Sequence, residues 1–241
     1  VVVERNGFAG KIILLRGTME TITLPEGVEK VDLIVSEWMG YALLYESMLP
    51  TVLYARDKYL AQGGTVLPTS TSLHLSVSSH DQMGFWSNVY GFDMSNIAEA
   101  SCADASVRVI PSESILGPSC LVRDLDAMTC ADADLDFTSD FEIAISEAGQ
   151  FRCFILHFDT VFDLSKLGGI STEFTTGCHA TPTHWKQTAL HCITPFPVAA
   201  GDRFKGQISL KRDANYRRAY DCTVSFAFNG KPCETQFWRM Q

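Results

Sequence analysis

The hydrophobic pattern changes character once along this chain, near residue 66, and that change limits the fold more than any other feature. Before it, two short apolar runs stand out, Lys11-Ile12-Ile13-Leu14-Leu15 and Val31-Asp32-Leu33-Ile34-Val35. Each is bounded by turn or polar residues, the pattern of strands buried on both faces of a parallel sheet. A helix is predicted from about Pro50 to Ala61. Pro50 suits a first helical position, where its missing N–H costs nothing. Leu49, Leu53 and Leu60 recur near helical spacing, and Gly63-Gly64 closes the pattern. Beyond Thr65-Val66-Leu67-Pro68, alternation of period two takes over, as in Ser72-Leu73-His74-Leu75-Ser76-Val77, Phe141-Glu142-Ile143-Ala144-Ile145 and Gln207-Ile208-Ser209-Leu210. Thr223-Val224-Ser225-Phe226-Ala227-Phe228 followed by Asn229-Gly230 predicts a hairpin with a tight turn. Many short strands with turns between them suit a β-barrel or sandwich. Residues 85–99 break the alternation and read as an inserted, partly helical arm.

Composition narrows the class of function. The chain has 241 residues, 46% of them hydrophobic and 20% charged, enough for one large or two modest cores. It carries 28 acidic against 19 basic side chains, a net charge of -9. A nucleic acid is therefore not expected as a partner, because phosphate binding needs a basic surface, whereas an acidic surface steers a cationic partner. No apolar run approaches the roughly 18 residues of a membrane span, so no membrane partner is expected either. The eight cysteines show no CxxC pair and sit mostly among apolar neighbours, as in Arg152-Cys153-Phe154-Ile155. Small buried hydrophobes in a reducing compartment are the expectation. The chain opens on Val1 with no charged and apolar leader. It is expected to be a segment of a longer intracellular chain, cytoplasmic, with the nucleus as a second compartment.

The chemistry concentrates in Ser36-Glu37-Trp38-Met39-Gly40-Tyr41-Ala42-Leu43-Leu44-Tyr45-Glu46-Ser47-Met48-Leu49. It follows a predicted strand, at the sheet edge where open α/β folds bind ligands. Two glutamates bracket an aromatic, glycine-containing turn. A loop doubling back there brings both carboxylates onto one small cation, and a planar guanidinium, with five donors in a fixed fork, matches bidentate acceptors. On chemistry alone the alternative stays open that Glu37 and Glu46 are solvated turn residues. Two other clusters are weaker. Asp132-Ala133-Asp134-Leu135-Asp136 hints at a calcium loop but lacks the glycine at the sixth position and the bidentate glutamate. Cys178, His179, His184, His191 and Cys192 lack zinc-site spacing. No metal is expected.

The glutamate segment resembles the double-E loop of the protein arginine methyltransferases, in Ser36-Glu37-Trp38-Met39-Gly40-Tyr41 and in Tyr45-Glu46-Ser47-Met48-Leu49. Thr183-His184-Trp185-Lys186-Gln187-Thr188 is similar to the family's THW loop, and Asn88-Val89-Tyr90-Gly91-Phe92-Asp93-Met94-Ser95 to its dimerisation arm. The likeness runs through the whole chain and is nearest to the branch with an N-terminal zinc finger that acts on ribosomal protein. It implies an α/β + β fold. Residues 1–65 would be the C-terminal end of a Rossmann-like, S-adenosylmethionine-binding sheet. Residues 66–241 would be a β-barrel substrate domain with the arm at about 83–100.

The resemblance assigns roles residue by residue. Glu37 and Glu46 would hold the substrate guanidinium, with Met48, His184, Trp185 and Tyr41 as substrate contacts. Met48 and His184 stand where type I enzymes, which make asymmetric dimethylarginine, have the same residues. The family's His184 equivalent pairs with an acidic residue on an N-terminal helix that these residues do not include; apart from the resemblance, His184 reads as a structural histidine. Gly17-Thr18-Met19-Glu20 is similar to the segment that contacts the cofactor's adenine, so Thr18, Met19 and Glu20 are carried over as contacts to S-adenosylmethionine. The family's glycine-rich turn and ribose-binding acid occur nowhere in the 241 residues. The 241 residues alone are therefore expected to be inactive. Basic Arg/Gly-rich proteins, with a ribosomal protein as one candidate, are the implied substrates, and a homodimer the implied assembly. A non-catalytic arginine-binding scaffold of the same fold is the rival.

Overall fold

The computed structural model describes residues 1–240, apart from the side chains of Glu99 and Ile193. After a single helical turn, α1 (Val2–Arg5), the chain is irregular up to β1 (Val31–Val35). The helix α2 (Leu49–Tyr59) leads straight into β2 (Leu60–Leu67), which lies parallel to β1. The strand expected at residues 31–35 and the helix after it form, but the parallel partner is β2, where no strand was expected.

Two local expectations are corrected. Residues 11–15 form no strand, and Ile13 and Leu14 are 61% and 77% exposed. A strand buried on both faces needs a neighbour to pair with, and the sheet holds only β1 and β2 among the described residues. The helix also stops earlier than the glycine pair. Its cap Leu60 is already extended, at φ -71 and ψ 133, and Gly63 and Gly64 lie inside β2. Gly64 serves a close approach of the two strands: a Cβ there would stand 2.8 Å from the carbonyl oxygen of Asp32 on β1.

The rest is β-rich. It begins with β3 (Ser70–Ser78), followed by the arm, made of a 3-10 turn at Met83–Ser87 and α3 (Ser95–Ser101). Then come β4 (Ser106–Arg108), β5 (Cys120–Asp126), β6 (Phe137–Ala144), β7 (Gly149–Asp163), β8 (Ser171–Thr175) and β9 (Gln187–Val198). The last four are β10 (Arg203–Arg212), β11 (Tyr220–Phe228), β12 (Lys231–Pro232) and β13 (Gln236–Met240). Two antiparallel sheets result, one in the order β4-β9-β7-β3-β5 with β8 on β7, the other β12-β11-β10-β6 with β13 on β11. Their inner faces share a phenylalanine core. The Phe151 ring lies 4.8 Å from Phe204 and 4.9 Å from Phe154, and Phe154 lies 5.3 Å from Phe226, separations typical of paired aromatic rings. These packed, barrel-like layers follow from strands whose inward positions are apolar. The Asn229-Gly230 turn forms as expected, with φ 49 and 78 and Phe228 opposite Lys231. Cys130, Cys153, Cys192 and Cys222 are buried thiols.

The parallel pair is fastened to the β-rich part through Arg56 on α2. Its guanidinium donates to the carbonyls of Ala127 and Cys130 at 3.0 and 2.8 Å. No helix among the described residues is long and apolar enough to cross a membrane.

Candidate active site

The last rung between β1 and β2 is the N–H of Ser36 donating to the Leu67 carbonyl at 3.0 Å. Glu37 comes next and so leaves the sheet at the C-terminal end of β1. The chain then turns back on itself: Gly40 N–H donates to Leu43 at 2.9 Å and Tyr45 N–H to Tyr41 at 3.1 Å. Only glycine fits at position 40, where a Cβ would fall 1.7 Å from the Tyr45 carbonyl oxygen. Ala42, Leu43, Glu46 and Ser47 adopt φ of 46, 69, 82 and 52. Non-glycine residues take this left-handed conformation only when the surroundings impose it, typically at functional loops. Here Trp38, Met39, Ala42, Leu43 and Leu44, each at most 5% exposed, sink one side of the loop into the core. The other side leaves Glu37, Tyr41, Glu46 and Met48 open to solvent.

The loop between β8 and β9 meets this edge. Trp185 Nε1–H donates to the Met39 carbonyl at 2.8 Å. Phe174 stacks on the indole at 5.3 Å and Phe158 meets it edge-on at 5.7 Å. The His184 ring lies 3.8 Å from the same indole, and Lys186 takes a left-handed φ of 53 to close the turn. Glu37, Tyr41, Glu46, Met48, His184 and Trp185 thereby line one cleft of about 170 Å³. A pocket with two carboxylates and aromatic walls holds a small planar cation by charge, paired hydrogen bonds and ring contact.

Thr18, Met19 and Glu20 do not line that cleft. They form a turn, Thr21 N–H donating to the Thr18 carbonyl at 3.0 Å, that lies against the start of α2. Thr51 Oγ1 donates to Glu20 Oε1 at 3.2 Å and the Tyr54 hydroxyl to the Glu20 carbonyl at 3.4 Å. Thr51 N–H in turn donates to the Met48 carbonyl at 3.1 Å, so one turn of helix separates this segment from the cleft. The Glu20 carboxyl is held below the usual carboxylate range, first by its own backbone N–H and then by the Thr18 hydroxyl.

Two contributors were not anticipated. Phe174 backs Trp185, but its sequence neighbourhood is that of any strand. Arg218, in the turn between β10 and β11, places Nη2 3.0 Å from Glu46 Oε1 and accepts the Glu46 N–H at 2.9 Å. An arginine in a polar turn carries no periodic signal. The aspartates that hint at calcium face arginines: Arg212 reaches Asp132 at 2.8 Å and Asp136 at 2.5 Å, and Arg123 reaches Asp134 at 2.9 Å.

Comparison with known proteins agrees with this geometry. The family model described as "Arginine methyltransferase oligomerization subdomain" matches residues 69–231. Protein arginine N-methyltransferase 1.1 of Arabidopsis thaliana is 37% identical, over 100% of this chain and 62% of its own length. Ribosomal protein arginine N-methyltransferase rmt3 of Schizosaccharomyces pombe is 38% identical over 94% of this chain and 43% of its own length. The chain thus spans less than two thirds of these relatives. Among solved structures, the Trypanosoma brucei PRMT1 enzyme-prozyme heterotetrameric complex with AdoHcy superposes with a TM-score of 0.87 at 32% identity, over 100% of this chain and 77% of that one. With the family pattern over the β-rich part and a solved relative that aligns over all of these 241 residues, this chain belongs to the protein arginine methyltransferases.

Proposed function

We propose that this chain is the substrate-binding part of an enzyme that methylates arginine side chains in proteins. The observation that carries the proposal is the single cleft shared by Glu37, Glu46, Tyr41, Met48, His184 and Trp185 at the end of β1. S-adenosylmethionine supplies an electrophilic methyl on a sulfonium when bound. Resemblance assigns its adenine side to Thr18, Met19 and Glu20, and two observations support this: Thr18 and Glu20 are exposed with Met19 half-buried, and their turn packs one helical turn from Met48.

Arginine has a pKa of ~13.8, so presenting a neutral guanidine at pH 7 would cost about 9 kcal/mol. Glu37 and Glu46 instead bind the cation and orient one terminal nitrogen towards the donor side. Their charges also offset two positive groups brought together, and this fixed field is the larger catalytic contribution. Holding the nitrogen in line supplies the rest. Glu46 is the residue proposed to take the proton released as the new N–C bond forms. Trp185, clamped to Met39, walls the entrance for the substrate side chain. Met48 and His184, by resemblance, support asymmetric dimethylarginine as the product. Basic Arg/Gly-rich proteins are the substrates proposed, and the likeness to rmt3 supports a ribosomal protein among them.

The test is methylation of an Arg/Gly-rich peptide by the protein at its full natural length. Glu37→Gln and Glu46→Gln each remove one charge and keep the shape, so each should abolish methyl transfer without unfolding the protein. Fragmentation mass spectrometry should show asymmetric dimethylarginine from the unmodified protein. Full activity in both variants would overturn the proposal, and a mainly symmetric product would overturn the type assignment.

A further inference from the structure

Glu46 sits in a conformation that its own sequence does not favour, at φ 82, so something outside the loop must hold it. One residue does so twice. The Arg218 carbonyl accepts the Glu46 N–H at 2.9 Å, and the Arg218 guanidinium meets Glu46 Oε1 at 3.0 Å. Both contacts come from the turn joining β10 to β11, whose own shape is fixed by Ala219 N–H donating to Tyr216 at 2.8 Å and by Asp213 Oδ1 accepting the N–H groups of Asn215 and Tyr216. The pair is largely exposed, Arg218 by 68% and Glu46 by 46% of the side chain. An ion pair so accessible to water adds little to stability. Its value lies in where it puts the carboxylate.

We infer that Arg218 is a positioning residue for methyl transfer: it fixes Glu46 through the backbone amide and one carboxylate oxygen, leaving the second oxygen to the substrate guanidinium. The shortest approach of the pair is from one nitrogen of the Arg218 fork to Oε1, and Glu46 also lines the cleft. The sharing of its two oxygens between Arg218 and a substrate guanidinium is what the inference assigns. This inference rests on the proposed function, since it assigns Glu46 a share in holding the acceptor.

The kinetic consequence has a direction. Without Arg218, Glu46 keeps its charge and loses a competing cation, so an arginine peptide binds equally well or better. The carboxylate is no longer held in one place, and loss of alignment of this kind costs the chemical step about tenfold or more. A residue that merely blocked the cleft would give the opposite result, an unchanged kcat with a lower KM. One that only supported the fold would lower thermal stability and leave the kcat of the folded fraction unchanged.

The experiment compares Arg218→Ala, Arg218→Lys and Glu46→Gln in the protein at its full natural length, using an Arg/Gly-rich peptide and S-adenosylmethionine. Arg218→Ala should lower kcat about tenfold or more with peptide KM unchanged or reduced, cofactor KM unchanged and the melting temperature nearly unchanged. Arg218→Lys keeps the charge but not the planar fork, and should recover part of the lost kcat. Wild-type kcat per folded molecule in Arg218→Ala would overturn the inference while leaving the proposed function intact, and so would a kcat in Arg218→Lys no higher than in Arg218→Ala. Retained activity in Glu46→Gln would instead overturn the role of Glu46 on which both depend.

Discussion

The indole Nε1–H of Trp185 donates to the backbone carbonyl of Met39 at 2.8 Å, joining two loops 146 positions apart in sequence. Met39 is only 5% exposed, so its carbonyl has little access to water if that donor is lost. Trp185→Phe keeps an aromatic ring against Phe174 and Phe158 and removes the N–H. The cost is expected at ~1–2 kcal/mol, seen as a fall in melting temperature of about 2–8 °C for a chain of this size. Methyl transfer should fall further than stability does, because the two loops that line the cleft would no longer be tied. Thermal unfolding of the 241 residues, beside peptide methylation by the protein at its full natural length, checks both. Equal activity in the variant would separate the Trp185–Met39 contact from catalysis.

The loop that carries Glu37 and Glu46 was legible in sequence because its parts are local: a strand, a glycine and two carboxylates at fixed spacing. The period-two strands were legible for the same reason, since one face of each meets the phenylalanine core. What sequence could not show were relations between distant residues. Arg218 meets Glu46, and Arg56 meets Ala127 and Cys130, through turns that no periodicity announces. Residues 11–15 misled because an apolar run becomes a strand only where a neighbouring strand is present to pair with it. The glycine pair misled because Gly64 answers to Asp32 on another strand and not to the end of a helix.

The arm leaves large apolar side chains in solvent: Tyr90 is 98%, Phe92 72% and Phe85 63% exposed. Large apolar side chains exposed together on one short insertion mark an interaction surface. Paired bonds between Val89 and Phe92, and Met94 N–H donating to Trp86 at 2.8 Å, give the arm its own shape. Family resemblance supports a second subunit as the partner. Replacing residues 85–99 by a short Gly/Ser turn should therefore give monomers in sedimentation, with methyl transfer lost in the protein at its full natural length. A monomeric unmodified protein would contradict this.

Acid should loosen the β-rich part before its carboxylates titrate. Burial pushes His157 and His191 down to about 4; His157 also lies against His74, and His191 feels the charge of His80. In the unfolded chain both rings return to ~6.5. Between those values the unfolded chain binds more protons, so stability rises with pH across the window, is complete above about pH 6.5, and falls as pH drops towards 4. Each ring accounts for up to about 3 kcal/mol at the acid end. Asp134, set low by the Ala131 N–H and Arg123, and Asp136, set low by Arg212 against the cost of its burial, lose their share only below that window. Urea unfolding at steps from pH 7 to 4.5 should show the decline, and His157→Gln or His191→Gln should flatten it. A midpoint independent of pH in the unmodified chain would contradict the burial argument.

The 241 residues by themselves should bind S-adenosylmethionine weakly and transfer no methyl groups. Cofactors of this class are fixed at a sheet edge chiefly by the backbone N–H groups of a glycine-rich turn and by an acid on the ribose. The sequence holds neither. What it offers is the turn at Thr18, Met19 and Glu20, docked on α2 by two hydrogen bonds from Thr51 and Tyr54. The two-stranded sheet beside α2 leaves Val35 and Leu33 67% and 39% exposed, a surface that favours association. The β-rich part should still fold, because its phenylalanine core is drawn from its own two sheets. Calorimetric titration of the 241 residues beside a full-length relative, such as the Arabidopsis protein, makes the comparison. Micromolar binding by the 241 residues would mean that the cofactor is held by groups other than Thr18, Met19 and Glu20, and the assignment of that turn would have to be abandoned.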